Sequence, residues 1–200
     1  MSDVRTVAVV TAGMGVPSAT AKLGDRLSAA VAAALDVHGI TVDLDRIEIR
    51  DVAHEAVNAA LTHVNGSALQ TALDQVTAAD ALVVVTPVWN GSYSGLFKLF
   101  FDVLEEGALA GKPVLLAATG GTARHSLAID QAMLPMFWML KARPVPTPVF
   151  AATEDWGTAS GLNARIQQAA ADLADAVVGT APVTQADPFD VVDFSELLGR

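Results

Sequence analysis

The sequence predicts an α/β domain in which a parallel sheet is covered by helices on both faces. Three observations predict it. Strand-like and helix-like segments alternate along the chain, the pattern of parallel strands joined by crossover helices. The runs Ala81 to Val85 and Val114 to Thr119 carry no polar alternation, as strands buried on both faces should. Each is followed by a loop of small and hydroxyl side chains and then a helical stretch, and open α/β sheets bind ligands beyond the carboxyl ends of their strands.

The elements follow in order. Val4 to Thr11 reads as the first strand, and Ser18 to about Val37 as the first helix, with Leu23, Leu27, Val31 and Leu35 recurring every four residues. Gly39 suits the left-handed end of that helix. Residues 40–49 alternate apolar and polar side chains with a break at Asp45 and Arg46, which suggests an edge strand with one wet face. Two helical pieces, 53–64 and 67–79, are broken at Asn65 and Gly66, and Ser67 can cap the second. After the third strand, residues 95–104 place Leu96, Leu99, Phe100, Val103 and Leu104 on one helix face. The fourth strand, 114–119, leads to a helix around 126–141 that Pro135 should bend. Pro144, Pro146 and Pro148 put the fifth strand, 145–151, at a sheet edge, because proline cannot donate to a ladder. Residues 157–178 make the last helix. Five strands in this rhythm fit a flavodoxin-like five-stranded parallel sheet in the order 2-1-3-4-5, with its ligand crevice between the first and third strands.

Composition narrows the function classes. The 200 residues fit a single domain at 1–178, followed by an acidic tail at 179–200 whose Phe194, Leu197 and Leu198 are either a mobile end or a docking arm. No run of about 18 apolar residues suggests a membrane span, and Met1 to Thr6 enters a strand without a leader, so a cytoplasmic protein is expected. The absence of cysteine excludes disulfides, iron–sulfur clusters and thiolate catalysis, leaving redox chemistry to an organic cofactor or a non-thiolate metal. His38, His54 and His63 lack metal-ligand spacing, and no metal is expected. A net charge of −10 argues against nucleic acid.

Three loops carry the chemistry, and all follow strands whose carboxyl ends point the same way. The first, Thr11 to Thr20, runs into a helix N-terminus that favours an anion, with Ser18 and Thr20 as hydroxyl donors and Ala19 between them. Gly13 and Gly15 taken alone are a weak signal, and an ordinary turn with Ser18 as N-cap explains them nearly as well. In the second, Pro87 and Gly91 shape the backbone, Trp89 and Tyr93 can flank a planar ring, and Asn90 and Ser92 can bond its heteroatoms, with Val88 alongside; plain loop packing is the alternative. The third, Thr119, Gly120, Gly121 and Thr122, offers consecutive N–H groups to a polar ring edge, or is a simple glycine turn. Arg124 and His125 sit beside it, free to meet a ligand's ring edge or phosphates, or to be solvated. Lys98 and Asp102 stand at i, i+4 and read as a helix pair.

Taken together, these residues resemble the NAD(P)H-dependent FMN reductases of flavodoxin-like fold over residues 4–178. Ser18 and Thr20 match the hydroxyls of that family's phosphate loop, approximately G-S-x-R-x-x-S-x-S/T. Residues 86–98, with Asp102 beyond, match its flavin-ring loop T-P-x-Y-x-x-S-x-x-G-x-L/F-K-x-x-x-D. Thr119, Gly120 and Gly121 match its third loop, and 123–128 is similar to the subgroup that serves luciferase-like monooxygenases.

The resemblance implies FMN as cofactor, NADPH or NADH as donor, hydride transfer from nicotinamide C4 to flavin N5, a partner monooxygenase as the destination of reduced flavin, and a homo-oligomer, dimer or tetramer. It implies no acid–base residue, since the protein's task is to stack two rings at roughly 3–3.5 Å and to stabilise charge at flavin N1 through donors such as Gly120 and Gly121. The cluster Met133, Met136, Phe137, Trp138 and Met139 is a candidate subunit contact or a buried core face.

Two departures concern the first loop. Gly13 and Gly15 stand where relatives carry Ser and Arg, so a hydroxyl and a cation are missing and FMN is expected to exchange rather than stay bound. Trp89 replaces the commoner Tyr. The enzymatic alternative is a quinone or azo-compound reductase with retained FMN; a further alternative is a flavin-binding or electron-carrier protein without turnover. An electron-transfer flavodoxin is disfavoured because its T-x-T-G-x-T loop is absent.

Overall fold

The computed structural model describes residues 3–157, 161–181 and 183. The sheet contains β1 (Asp3–Thr11), β2 (Ile40–Glu48), β3 (Ala81–Trp89) with the short β4 (Ser92–Tyr93) antiparallel to its end, β5 (Pro113–Gly120) and a last position shared by β6 (Arg143–Pro144) and β7 (Val149–Ala152). Its order is β2-β1-β3-β5-β6, with β7 also parallel to β5, which is the expected 2-1-3-4-5 arrangement with a divided edge. The proline run explains the division. Pro146 and Pro148 fall in the gap between β6 and β7, where no ladder donor is required.

Alternate residues of the central strands feed two cores. Ala8, Val10, Leu82 and Val84 join one side with α2 (Ile49–Thr62), α3 (Ser67–Ala78), α4 (Gly95–Asp102) and α5 (Leu134–Met139). Val7, Val9, Val83 and Val85 join the other with α1 (Ala19–Asp36) and α6 (Leu162–Val178). Both faces of each strand are therefore dry, which is why the sequence runs are apolar without alternation.

Several local expectations are revised. Helix α2 starts at Ile49 rather than 53, and β2 stays paired through Asp45 and Arg46, opposite Ala8 and Val9. Ser67 is the first residue of α3 and not its cap; the Leu69 N–H instead donates to Glu55 Oε2 of α2 at 2.8 Å, so a neighbouring helix closes this end. On α4 the fully buried stripe is Phe97, Phe100 and Phe101, with Leu96, Leu99, Val103 and Leu104 only partly covered. The rings turn inward because they pack on one another and on Phe137, with centroids 4.9 Å apart for Phe97–Phe101 and 5.1 Å for Phe101–Phe137.

The stretch expected as one helix over 126–141 is a π turn at Ile129–Met133 and then α5, with a 3₁₀ turn at Ala123–His125 ahead of it. Leu134 N donates to Ile129 O across the wider turn just ahead of Pro135, whose ring and missing N–H a regular α-turn would not accommodate. The last helix begins at Leu162, after a 3₁₀ turn at Thr153–Trp156. Past α6, Arg5 Nη1 donates to Thr180 O at 3.2 Å and the Val183 N–H donates to Asp80 Oδ1 at 2.8 Å. The proposed docking residues Phe194, Leu197 and Leu198 lie outside the described residues.

Candidate active site

The carboxyl ends of β1, β3, β5 and β7 converge on one cleft of about 400 Å³, within the size range of small-molecule sites. The first loop contributes Gly13, Ser18, Ala19 and Thr20, as expected, together with Met14, Gly15 and Pro17. Pro87, Val88 and Trp89 form a second wall, and Thr119, Gly120 and Gly121 a third. Ala151, Thr153 and Trp156 complete it from the end of β7, a contribution that sequence reasoning missed.

The anion end is built from α1. Ser18 is its N-cap, accepting from Ala21 N at 3.1 Å, and the N–H groups of Ala19 and Thr20 are left without an acceptor among the described residues. The Thr20 hydroxyl is buried and shares a 2.9 Å hydrogen bond with that of Thr119, tying the first loop to the third at the cleft floor. Thr11, expected at the site, ends β1 below this loop and off the cleft wall, its Oγ1 buried and without a partner among the described residues.

The second loop is a β-hairpin. Val88 pairs with Tyr93 and Trp89 with Ser92, while Asn90 (φ 50°) and Gly91 (φ 83°) make a tight turn of the type that Asn-Gly favours. The hairpin carries Asn90, Gly91, Ser92 and Tyr93 off the cleft wall, and Tyr93 lines a second cavity between α4 and the Gln131 to Leu140 segment. Behind it, Ser94 caps α4 by accepting from Phe97 N at 3.2 Å. Trp89 remains about half exposed at the cleft edge.

At the third loop, a Cβ on Gly121 would meet no protein atom within 4 Å, so a planar ligand can lie against its backbone. A Cβ on Gly120 would come within 2.8 Å of the Phe150 ring, so glycine there serves packing. His125 stands beside Gly120 on the 3₁₀ turn, exposed and off the cleft wall. Trp156 is held at the far side, with Lys22 Nζ 4.9 Å and Arg26 Cζ 5.7 Å from its ring. Burial pushes the neighbouring Asp155 carboxyl up, but its bond from Ala152 N and the Arg165 guanidinium at 3.0 Å outweigh that and hold it below the usual range. Lys98 and Asp102 form the expected i, i+4 pair on the exposed face of α4.

A flavodoxin-like sheet whose strand-end loops offer a capped helix N-terminus, an aromatic edge and an open glycine backbone defines a flavin-nucleotide-binding α/β protein. Comparison with known proteins specifies the family. Residues 5–157 match the NADPH-dependent FMN reductase model. The chain is 38% identical to an FMN reductase (NADPH) of Pseudomonas aeruginosa over 85% of its own length and 91% of that protein's. It is 36% identical to the NADH-dependent FMN reductase SfnE of Pseudomonas putida, again over 85% and 91%. Among solved structures, an oxidoreductase from Corynebacterium diphtheriae superposes with a TM-score of 0.87 at 43% identity, covering 90% of this chain and all of that one.

The chain belongs to the NADPH-dependent FMN reductase family. It is an oxidoreductase with FMN as cofactor and NADPH or NADH as donor. The cleft fits FMN on its own terms, through the two free N–H groups at the start of α1 and the open backbone at Gly121.

Proposed function

We propose that the first loop and the start of α1 hold the FMN phosphate, that Pro87 to Trp89 and the Gly120–Gly121 backbone hold its ring, and that reduced flavin leaves for a flavin-dependent monooxygenase of the luciferase-like class. One observation carries the release: no Lys, Arg, Asp or Glu lines the cleft among the described residues. A phosphate held on the cleft wall by neutral donors and a helix dipole, with no charge on that wall to pair with it directly, is held less tightly than one in a direct pair with an undivided charge. FMN supplies the two-electron acceptor when bound. The chain's own part is to keep the rings stacked, to offer Gly120 and Gly121 N–H donors where negative charge grows, and to screen the site from water with Trp89 and Trp156.

The names of the relatives support use of both nucleotides, since one carries NADPH and another NADH. For self-association into a dimer or tetramer we place the contact at Trp138 and Met139, which are 60% and 83% exposed on α5.

A coupled assay tests the release. The protein, NADH or NADPH and micromolar FMN are mixed with a monooxygenase that uses free reduced FMN and has no reductase of its own. Product formation that rises with added FMN is expected. Nucleotide oxidation onto quinone or azo acceptors with no monooxygenase product would overturn it.

A further inference from the structure

We infer that Arg50 supplies the phosphate-directed cation that the first loop lacks. Gly15 occupies the loop position where the family pattern has Arg, and no basic side chain lines the cleft. The guanidinium of Arg50, the second residue of α2, nevertheless reaches this loop: its Nη1 donates to the Gly15 carbonyl at 3.4 Å.

The guanidinium is divided between two tasks. Its Nε edge faces carboxylates, at 3.4 Å from Glu48 Oε2 and 3.6 Å from Asp51 Oδ1, and its Nη edge faces the loop. Glu48 Oε2 is sheltered from solvent and accepts no hydrogen bond among the described residues, so charge alone holds it against Arg50. This anchoring holds the Nε edge and leaves the Nη edge on the first loop, at Gly15, which lines the cleft. An arginine on the family's loop brings a whole charge to the phosphate; here the charge comes from α2 and is shared with two acids. That combination gives selective but exchangeable binding, and it requires that FMN be the flavin of the cleft, as proposed above.

Riboflavin, which shares the ring and lacks the phosphate, separates this role from a structural one. Flavin fluorescence quenching would be titrated for the unaltered chain, Arg50→Ala and Arg50→Lys with FMN and with riboflavin. Arg50→Ala should weaken FMN about ten- to hundredfold and leave riboflavin unchanged, with Arg50→Lys intermediate. Retained riboflavin binding also shows that the variants fold. Equal weakening of both flavins, or no weakening of either, would overturn the assignment. So would a raised nicotinamide KM with FMN affinity intact, which would place Arg50 on the dinucleotide. If the unaltered chain bound neither flavin, the proposed cofactor site would fall and this role with it.

Discussion

Thr20 and Thr119, 99 residues apart in sequence, share a 2.9 Å hydroxyl–hydroxyl bond beneath the cleft. Thr119 donating to Thr20 leaves the Thr20 proton free for an acceptor in the cleft, so the third loop can orient a donor in the first. Replacing either by Val strands a buried hydroxyl, at about 1–3 kcal/mol. Urea unfolding should show Thr20→Val and Thr119→Val each destabilising, with the double variant losing less than the sum. Additive losses would mean that the two hydroxyls act independently.

Restoring the family's serine at position 13 should not be a simple gain. A Cβ there would stand 2.0 Å from Ser18 Oγ and 3.1 Å from the Cβ of Thr20. Gly13→Ser must therefore turn Ser18 away from Ala21 N, losing an N-cap worth about 1 kcal/mol. A lowered Tm for Gly13→Ser, with no further loss when Ser18→Ala is added, is expected. An unchanged Tm would contradict it.

The two glycines of the third loop should separate folding from binding. Gly120→Ala drives a methyl against Phe150 and should destabilise. Gly121→Ala meets no protein atom and should fold normally, within about 0.5 kcal/mol of the parent chain. Its FMN affinity should nonetheless fall, because the methyl enters the space in which we propose that the ring lies. Fluorescence titration beside thermal melts checks both, and full FMN affinity in Gly121→Ala would move the ring elsewhere.

Lys112 predicts a pH dependence of stability. Burial lowers its pKa from 10.5 to about 8, against the attraction of Asp80, while its ammonium donates to the carbonyls of Thr77, at 2.9 Å, and Ala79. Between these values the unfolded chain holds the proton more firmly than the folded one, so this group's contribution to stability rises with pH from 8 to 10.5. The stability of the parent relative to Lys112→Met should rise with pH across that window, by at most about 1.4 kcal/mol per pH unit. A difference independent of pH would show that burial does not penalise the charge.

The sheet order and the three loops were legible because strands dry on both faces write continuous apolar runs, and each loop follows such a run. Trp156 and Arg50 were not legible as neighbours of the cleft. No local motif marks them, and only the placement of β7 and α2 brings them near. Asn90 and Gly91 carried a plain hairpin signal, but beside Trp89 and Tyr93 they read as ligand contacts; the hairpin in fact turns Tyr93 to another cavity. Pro135 marked a disturbance in its helix without revealing that a π turn would absorb it.

We propose that this cleft reduces FMN and lets it go. Both steps are read together in the steady-state oxidation of NADH and NADPH, with and without added FMN, while flavin is followed by absorbance through gel filtration. Oxidation that depends on added FMN, with protein emerging free of flavin, is predicted. Flavin that stays with the protein and turns over only on quinone or azo acceptors, or no oxidation of either nucleotide, would contradict it.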